Sequence, residues 1–231
     1  MGLIDLITAI ADAIRSKTGK EDKLTLEQMA TEIESIEVGS DELALSIIER
    51  TATSISSNKV TQVGAYALSY CKSLKIVDLP ECTTVKTYGF TQSKELVTVN
   101  LPKATTIEAS SFRHCSELVN VNIPNMATLG GSAFEGCAIN KIDVGKVSQI
   151  AASTFNSCSK LETVILRLTS KTCTLSNVNA FNGTLIAKGT GYIYVPQALI
   201  EQYKVATNWI SFAEQFRAIE DYPEICGGVT E

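Results

Sequence analysis

Histidines, basic clusters and long apolar runs are scarce in this sequence of 231 residues. The single histidine, His114, excludes a metal site built from several histidines, and any catalytic triad would have to use that one residue. Lysine and arginine total 20 against 25 acidic residues, giving a net charge of -5. Such a balance argues against nucleic-acid binding, because that function needs an excess of cations.

The most apolar stretch near the start, residues 3–14, is interrupted by two aspartates and follows no basic region. We therefore expect neither a Sec-type signal peptide nor insertion into a membrane. The sequence contains neither a P-loop nor a G-x-S-x-G motif. His114 lies in a variable turn position of a repeat. We accordingly predict no enzyme activity and no cofactor.

Seven cysteines are present, and their spacing argues against disulfides and zinc. Cys71, Cys115, Cys137 and Cys158 lie 44, 22 and 21 residues apart, whereas zinc-binding cysteines typically come in C-x-x-C pairs. An odd total also discourages a complete disulfide framework. Since cysteine is a small and readily buried apolar residue, we interpret this spacing as a packing column inside a repeat.

A period of 22 residues runs through five successive units between residues 63 and 173. Within each unit the same six positions carry residues of the same kind. These columns are Val63, Val85, Ile107, Leu129 and Ile150; Leu68, Phe90, Phe112, Phe134 and Phe155; Cys71, Ser93, Cys115, Cys137 and Cys158; Leu74, Leu96, Leu118, Ile139 and Leu161; Val77, Val99, Val121, Ile142 and Val164; and Leu79, Leu101, Ile123, Val144 and Leu166. A fixed period of this length is typical of a solenoid.

Each unit contains the pattern L-x-x-V-x-L, whose alternation predicts one half-buried strand per coil. Pro80, Pro102 and Pro124 follow this strand directly and mark its end. The return path of each coil spaces its apolar residues at five and three and is rich in small residues, which favours a short helical turn. Each coil is then expected to bury its apolar columns against the neighbouring coils.

The units resemble BspA-like leucine-rich repeats. Ala133, Phe134 and Cys137 match the A-F-x-x-C part of that pattern, and Leu74, Val77, Leu79 and Pro80 match its strand part. Ser93 and Gly145 depart from it, replacing the expected cysteine and proline. The resemblance covers about half of the chain and implies an α/β repeat: a right-handed solenoid of five to six coils. The family includes bacterial surface adhesins, so the resemblance also implies binding of a partner.

Three regions are predicted: a helical pair over residues 1–40, the solenoid with its lead-in strand over 41–196, and a helical cap over 197–231. In the first region, Leu3, Ile7, Ile10 and Ile14 share one helix face, and Thr25 with Gln28 forms a capping box for a second helix ending near Ile36. This segment resembles the N-terminal segment of tail-associated proteins of phages and prophages in Gram-positive bacteria. It could attach the protein to a partner, mediate self-association, or cap the open end of the solenoid.

A degenerate sixth unit leads through Phe181 to the strand G-Y-I-Y-V-P. The segment that follows Pro196 can form an apolar helical face that includes Trp209. Because a solenoid must cover its last apolar coil, we interpret Trp209 as an anchor of the cap and not as a ligand platform.

One polar column remains as a candidate binding site. Asp78, Asn100, Asn122 and Asp143 occupy the same exposed strand position in four consecutive coils, and Ile165 ends the row. Neighbouring strands lie about 4.8 Å apart, so these side chains either face a ligand such as sugar hydroxyls or protein amides, or bond to one another as a ladder.

The sequence thus favours a binding or structural protein, with a protein or carbohydrate ligand on the repeat sheet. A phage or prophage tail component and a bacterial surface or secreted adhesin are the two alternatives. The phage particle and the bacterial surface are the corresponding locations.

Overall fold

A computed structural model describes residues 50–227. The chain divides between Ala52 and Thr53 into two units, and the second, Thr53–Glu231, contains nearly all of the described residues. The helical pair predicted over residues 3–36 lies outside them.

Within residues 50–227, fourteen short strands make up most of the regular structure. They are β1 (Ser54–Ser56), β2 (Gln62–Val63), β3 (Ile76–Asp78), β4 (Thr84–Val85), β5 (Thr98–Asn100), β6 (Thr106–Ile107), β7 (Asn120–Asn122), β8 (Thr128–Leu129), β9 (Lys141–Asp143), β10 (Gln149–Ile150), β11 (Thr163–Ile165), β12 (Thr174–Leu175), β13 (Tyr192–Val195) and β14 (Phe216–Ala218). All of their pairings are parallel. The α/β repeat solenoid that the sequence predicts is confirmed.

Each coil contributes two strands, so the prediction of one strand per coil was incomplete. The second strand holds the column that begins with Val63, and these strands pair into a continuous back sheet in the order β12-β10-β8-β6-β4-β2. The predicted strands form two separate sheets instead of one. The front sheet is ordered β1-β3-β5-β7, and the C-terminal sheet is ordered β14-β13-β11-β9.

Pairing in the front sheet joins equivalent residues of successive coils, with Val77 opposite Val99 and Val99 opposite Val121. A one-residue shift would turn every apolar side chain to the other face, so the 22-residue period fixes this register. The apolar columns fill the space between the sheets, and Leu74, Leu96 and Leu118 are all fully buried.

The return path of coils one to five is built from hydrogen-bonded turns with left-handed residues, so the short helical turn that the sequence predicted is not regular helix there. Two residues per coil have positive φ angles, for example Ser110 (φ 56°) and His114 (φ 57°). A helix cannot continue through left-handed residues. Turn bonds such as Arg113 N to Ser110 O (3.2 Å) alternate with bonds to the next coil, such as His114 N to Glu135 O (2.7 Å). His114 is therefore a turn residue, as predicted.

A column of stacked phenylalanine rings runs through the return path. Neighbouring rings from Phe90 to Phe181 are 5.0 to 5.9 Å apart between centroids. Trp209 closes the column, with its ring 5.9 Å from that of Phe181 and its Nε1 donating to Cys173 O at 2.6 Å. The interpretation of Trp209 as a buried cap anchor is confirmed.

The C-terminal segment combines helical and extended structure. It contains α1 (Ile200–Val205), α2 (Pro223–Cys226) and short 3₁₀ helices at Gln197–Leu199, Trp209–Gln215 and Ile219–Asp221, and another 3₁₀ helix, Val178–Phe181, lies in the sixth coil. The sequence predicted a helical cap and missed β14, which pairs with β13 through Ile193 and Phe216. β14 covers the main-chain groups that the edge of β13 would otherwise expose.

Candidate functional site

The outer face of the front sheet carries the polar row. In β3, β5 and β7 the middle residue points into the core, while the residues on either side point outward. Asp78 and Asn100 are half-buried and Asn122 is exposed. Register pairs Asp78 with Asn100 and Asn100 with Asn122, so the structure brings three of the four predicted site residues together.

These three side chains are hydrogen-bonded to one another in a ladder. Asn100 Nδ2 donates to Asp78 Oδ1 at 2.7 Å, and Asn122 Nδ2 donates to Asn100 Oδ1 at 2.6 Å. Hydrogen bonds along such a chain polarise each other, which strengthens them. The ladder therefore fixes the orientation of the amides, and it leaves the Asn122 end open.

Asp143, the fourth predicted residue, does not join the ladder. Its Oδ1 accepts from the main-chain N of Gly145 at 2.9 Å, and its Oδ2 accepts from Arg167 Nε at 2.7 Å. The Arg167 side chain also donates to the carbonyl oxygen of Cys226. Asp143 thus joins the fourth coil to the fifth coil and, through Arg167, to the C-terminal segment.

A cleft separates the ladder from Asp143. Within residues 50–227 no main-chain hydrogen bond joins β7 to β9. The gap between the two strands contributes to a cavity of about 540 Å³, lined by residues of β5, β7 and β9 that include Asn120, Asn122 and Asp143. Val121 is partly exposed at this gap, although Val99 and Ile142 in the same column are only 1% exposed.

The cleft has a local cause in the sequence. Cys115 and Leu118 are three residues apart, as are their equivalents in the other complete coils, but Cys137 and Ile139 are only two apart. In the neighbouring coils this interval closes a turn, with Leu118 N donating to Cys115 O at 3.0 Å and Leu161 N donating to Cys158 O at 3.0 Å. The missing residue removes this turn, and β9 does not pair with β7. The 21-residue spacing to Cys158 was the available signal, and sequence reasoning did not draw this conclusion from it.

The C-terminal segment covers the outer face of the C-terminal sheet. Ile165, Tyr194, Ile219 and Cys226 form a buried apolar cluster, against which Tyr222 and Ile225 pack. This explains why an isoleucine ends the polar row. At the edge of the cleft, Lys141 Nζ donates to the carbonyl oxygen of Ile225. The exposed part of the predicted polar row is thus confined to the front sheet and the cleft.

The cysteine column is chemically inert packing. Cys115 Sγ donates to Phe90 O at 3.1 Å, and Cys158 Sγ donates to Phe134 O at 3.0 Å. Burial raises the pKa of each of these two thiols to about 12, so the nucleophilic thiolate does not form near neutral pH. Ser93 replaces cysteine in this column and makes the equivalent bond, with Oγ donating to Leu68 O at 2.7 Å.

A second surface lies on the return path of the first two coils. The rings of Tyr66 and Tyr88 stack at 4.8 Å, and Tyr70 is 58% exposed. A depression of about 350 Å³ is lined by Tyr70, Lys72, Gln92, Lys94 and Glu95.

Among residues 50–227 no group of three potential metal ligands is present. In the same range no helix is long and apolar enough to cross a membrane.

Comparison with family models matches the chain to the BspA type leucine rich repeat region, in six copies, over residues 49–162 and 83–191. Together these ranges span residues 49–191, which is more than half of the 231 residues. No curated protein matches the sequence.

Among solved structures, the chain is similar to a leucine-rich repeat protein from Bacteroides ovatus ATCC 8483. The sequences are 17% identical, the TM-score is 0.45, and the match covers 73% of this chain and 54% of that protein. The chain therefore spans about half the length of that protein.

Proposed function

Because the chain belongs to the BspA-type leucine-rich repeat family, we propose that it is a non-enzymatic binding protein that presents the outer face of its front sheet to a partner. Proteins of this repeat family and fold typically bind proteins or have structural roles. The observation that carries the proposal is the ladder of Asp78, Asn100 and Asn122 on the outer face of the front sheet, whose side chains are held in place by hydrogen bonds of 2.7 and 2.6 Å.

The ladder suits recognition because its groups are ordered before a partner arrives. Side chains that are already ordered lose less conformational entropy when a partner binds. Each amide also keeps a hydrogen-bonding atom for an outside group, since an asparagine side chain has two donor hydrogens and a carbonyl oxygen with two lone pairs.

Absence of catalysis is part of the proposal. Burial raises the pKa of the Cys115 and Cys158 thiols, so they are poor nucleophiles near neutral pH. His114 lies in a turn with φ 57°. The sole histidine is therefore placed by the geometry of the repeat, in a column whose members differ from coil to coil.

A binding measurement on cells tests the use of the front sheet. Labelled full-length protein is added to Gram-positive cells, and bound protein is measured by flow cytometry. We expect Asn100→Lys to reduce binding about tenfold, because lysine lacks the oxygen that accepts from Asn122 Nδ2 and therefore breaks the ladder. The matched control is Thr128→Lys, which places the same charge on the exposed side of β8 in the back sheet. Equal binding by the two variants would contradict the proposal.

The finer role that we propose is a tail-associated component of a phage or prophage particle, attached through residues 1–40. The support for it is the resemblance of the segment I-A-D-A-I-R-S-K-T-G-K-E-D-K-L-T-L-E-Q-M-A-T-E-I to the N-terminal segments of such proteins. The alternative, based on the adhesins of the repeat family, is a cell-surface or secreted adhesin.

Purification of phage particles from the host strain after prophage induction separates the two roles. Purified particles are analysed by mass spectrometry for the full-length chain and for a variant lacking residues 1–40. The tail role predicts that the full-length chain is in the particles and that the variant is absent from them. Recovery of the full-length chain only in the cell-surface or secreted fraction would support the adhesin instead.

A further inference from the structure

The hydrogen-bond ladder of the front sheet has a direction. The carboxylate of Asp78 accepts a hydrogen bond from Asn100 Nδ2 at 2.7 Å, so the amide nitrogen of Asn100 faces Asp78. Asn100 Oδ1 then points the other way and accepts from Asn122 Nδ2 at 2.6 Å. The row therefore ends at the cleft with a carbonyl oxygen, Asn122 Oδ1, which accepts no hydrogen bond from residues 50–227.

A second, shorter row runs beside it in the same direction. Asn120 Nδ2 donates to Thr98 Oγ1 at 3.3 Å, which leaves Asn120 Oδ1 without a donor among residues 50–227. Asn120 and Asn122 are two residues apart on β7, so about 6.6 Å of strand separates them. Two amide oxygens thus lie at the same edge of the front sheet.

No residue of the fourth coil donates a hydrogen bond to Asn120 Oδ1 or Asn122 Oδ1. The Asp143 carboxylate is held by Gly145 and Arg167, and Lys141 Nζ is held by the carbonyl oxygen of Ile225. Both asparagines line the cavity of about 540 Å³ instead. Between them lies Val121, the partly exposed member of a column that is otherwise buried. Two acceptors and an apolar contact therefore meet in one place.

We propose that this cleft is a carbohydrate-binding site, in which ligand hydroxyls donate to Asn120 Oδ1 and Asn122 Oδ1 and the sugar covers the part of Val121 that the gap between β7 and β9 leaves exposed. This inference rests on the proposed binding function of the front sheet and narrows it to one place and one ligand class. Sugars fit because each hydroxyl both donates and accepts, and each asparagine amide does the same.

The width of the cleft argues against a peptide strand. A strand inserted between β7 and β9 would hold its neighbours about 9.6 Å apart, twice the spacing of paired strands. Cα atoms of β7 and β9 approach within 8 Å of each other. The gap is too narrow for an added strand, whereas a sugar can enter from the open outer face.

Titration of the full chain with maltotriose, cellotriose and triacetylchitotriose tests the site. Binding is followed by NMR, using the side-chain amide signals of Asn120 and Asn122. We expect at least one of these neutral trisaccharides to bind with a dissociation constant on the order of 1 mM and to shift both signals. Loss of one hydrogen bond in Asn122→Ala should weaken binding about five- to tenfold.

Ser56→Ala is the matched control, because Ser56 is exposed on the front sheet but neither belongs to the ladder nor lines the cavity. A second test inserts one alanine between Cys137 and Ala138, which restores the 22-residue period and is expected to close the cleft and abolish binding. Its control is one alanine inserted between Lys188 and Gly189, in an exposed turn. NMR spectra confirm that each variant is folded.

Three results would overturn the proposal. The first is the absence of binding by all three trisaccharides at about 10 mM, a concentration that saturates a millimolar site. The second is binding that Asn122→Ala leaves unchanged, which would place the sugar elsewhere. The third is equal loss in Ser56→Ala and Asn122→Ala, which would support recognition over the whole front sheet and leave the proposed function of that sheet standing.

Discussion

Replacing Asn100 by aspartate tests the ladder directly. In Asn100→Asp, a carboxylate takes the place of the amide that donates to Asp78 at 2.7 Å. Two like charges about 4 Å apart repel by about 1 kcal/mol in water and by about 4 kcal/mol at a protein surface. The variant also loses a hydrogen bond to a charged group, which contributes about 1.5–3 kcal/mol when fully formed. Both residues are half-buried, so we expect a net loss of about 2–3 kcal/mol at pH 7.

This loss should depend on pH with a definite sign. Repulsion in the folded state raises the pKa of the introduced carboxyl above its unfolded value of about 4. The variant therefore regains stability below that pH, where one proton bridges the two carboxyls, and loses it as the pH rises through the raised value. Urea unfolding followed by the fluorescence of Trp209, the single tryptophan, measures this at pH 7 and pH 4. An equal loss at both pH values, or a loss below about 0.5 kcal/mol at pH 7, would refute the ladder as described.

Three further variants and one labelling experiment test the rest of the fold. Gly145→Ala should destabilise by about 2–3 kcal/mol, because φ is 61° and a Cβ would lie 2.2 Å from Pro124 O; Gly64→Ala, whose Cβ would meet nothing closer than 3.9 Å, should change urea stability little. Phe134→Ala should cost about 3–5 kcal/mol, since its ring stacks at 5.3 and 5.9 Å on both neighbours; a cost below about 1 kcal/mol would contradict the packing. Arg167→Met removes the contacts to Asp143 and Cys226, so hydrogen exchange should accelerate in residues 222–227 but not in the back sheet. Cys115 and Cys158, with pKa values of about 12, should resist iodoacetamide at pH 8 in the native protein and react after unfolding, as mass spectrometry would show.

The periodic part of the fold could be predicted from the sequence, because each column has the same environment in every coil. Val77, Val99 and Ile142 are buried where the period places them. The back sheet was missed because its strands are two residues long, which is too short for an alternating pattern to be visible. The turns of the return path were misjudged because tyrosine, glutamine and serine have positive φ angles there. These residue types rarely adopt such angles, so their presence in the sequence does not indicate a turn.

In the candidate site, too, the periodic features could be predicted and the others could not. The row of Asp78, Asn100 and Asn122 could be predicted from the period alone, and the sequence left open whether it forms a ladder or faces a ligand. The role of Asp143 depends on Arg167 and on Cys226, which is 83 residues further along the chain. The cover over Ile165 likewise depends on distant residues that no repeat pattern relates to it.

The shortened interval between Cys137 and Ile139 makes one position on the solenoid different from all the others. A perfectly periodic surface offers the same features at every coil, so a ligand could slide from one coil to the next without a change in binding energy. Loss of one residue breaks that translational symmetry on the front sheet, while the back sheet stays continuous from β2 to β12. Because each coil contacts only its neighbours, the change remains local. A solenoid can in this way acquire a unique position through a single deletion, without the redesign of any other coil.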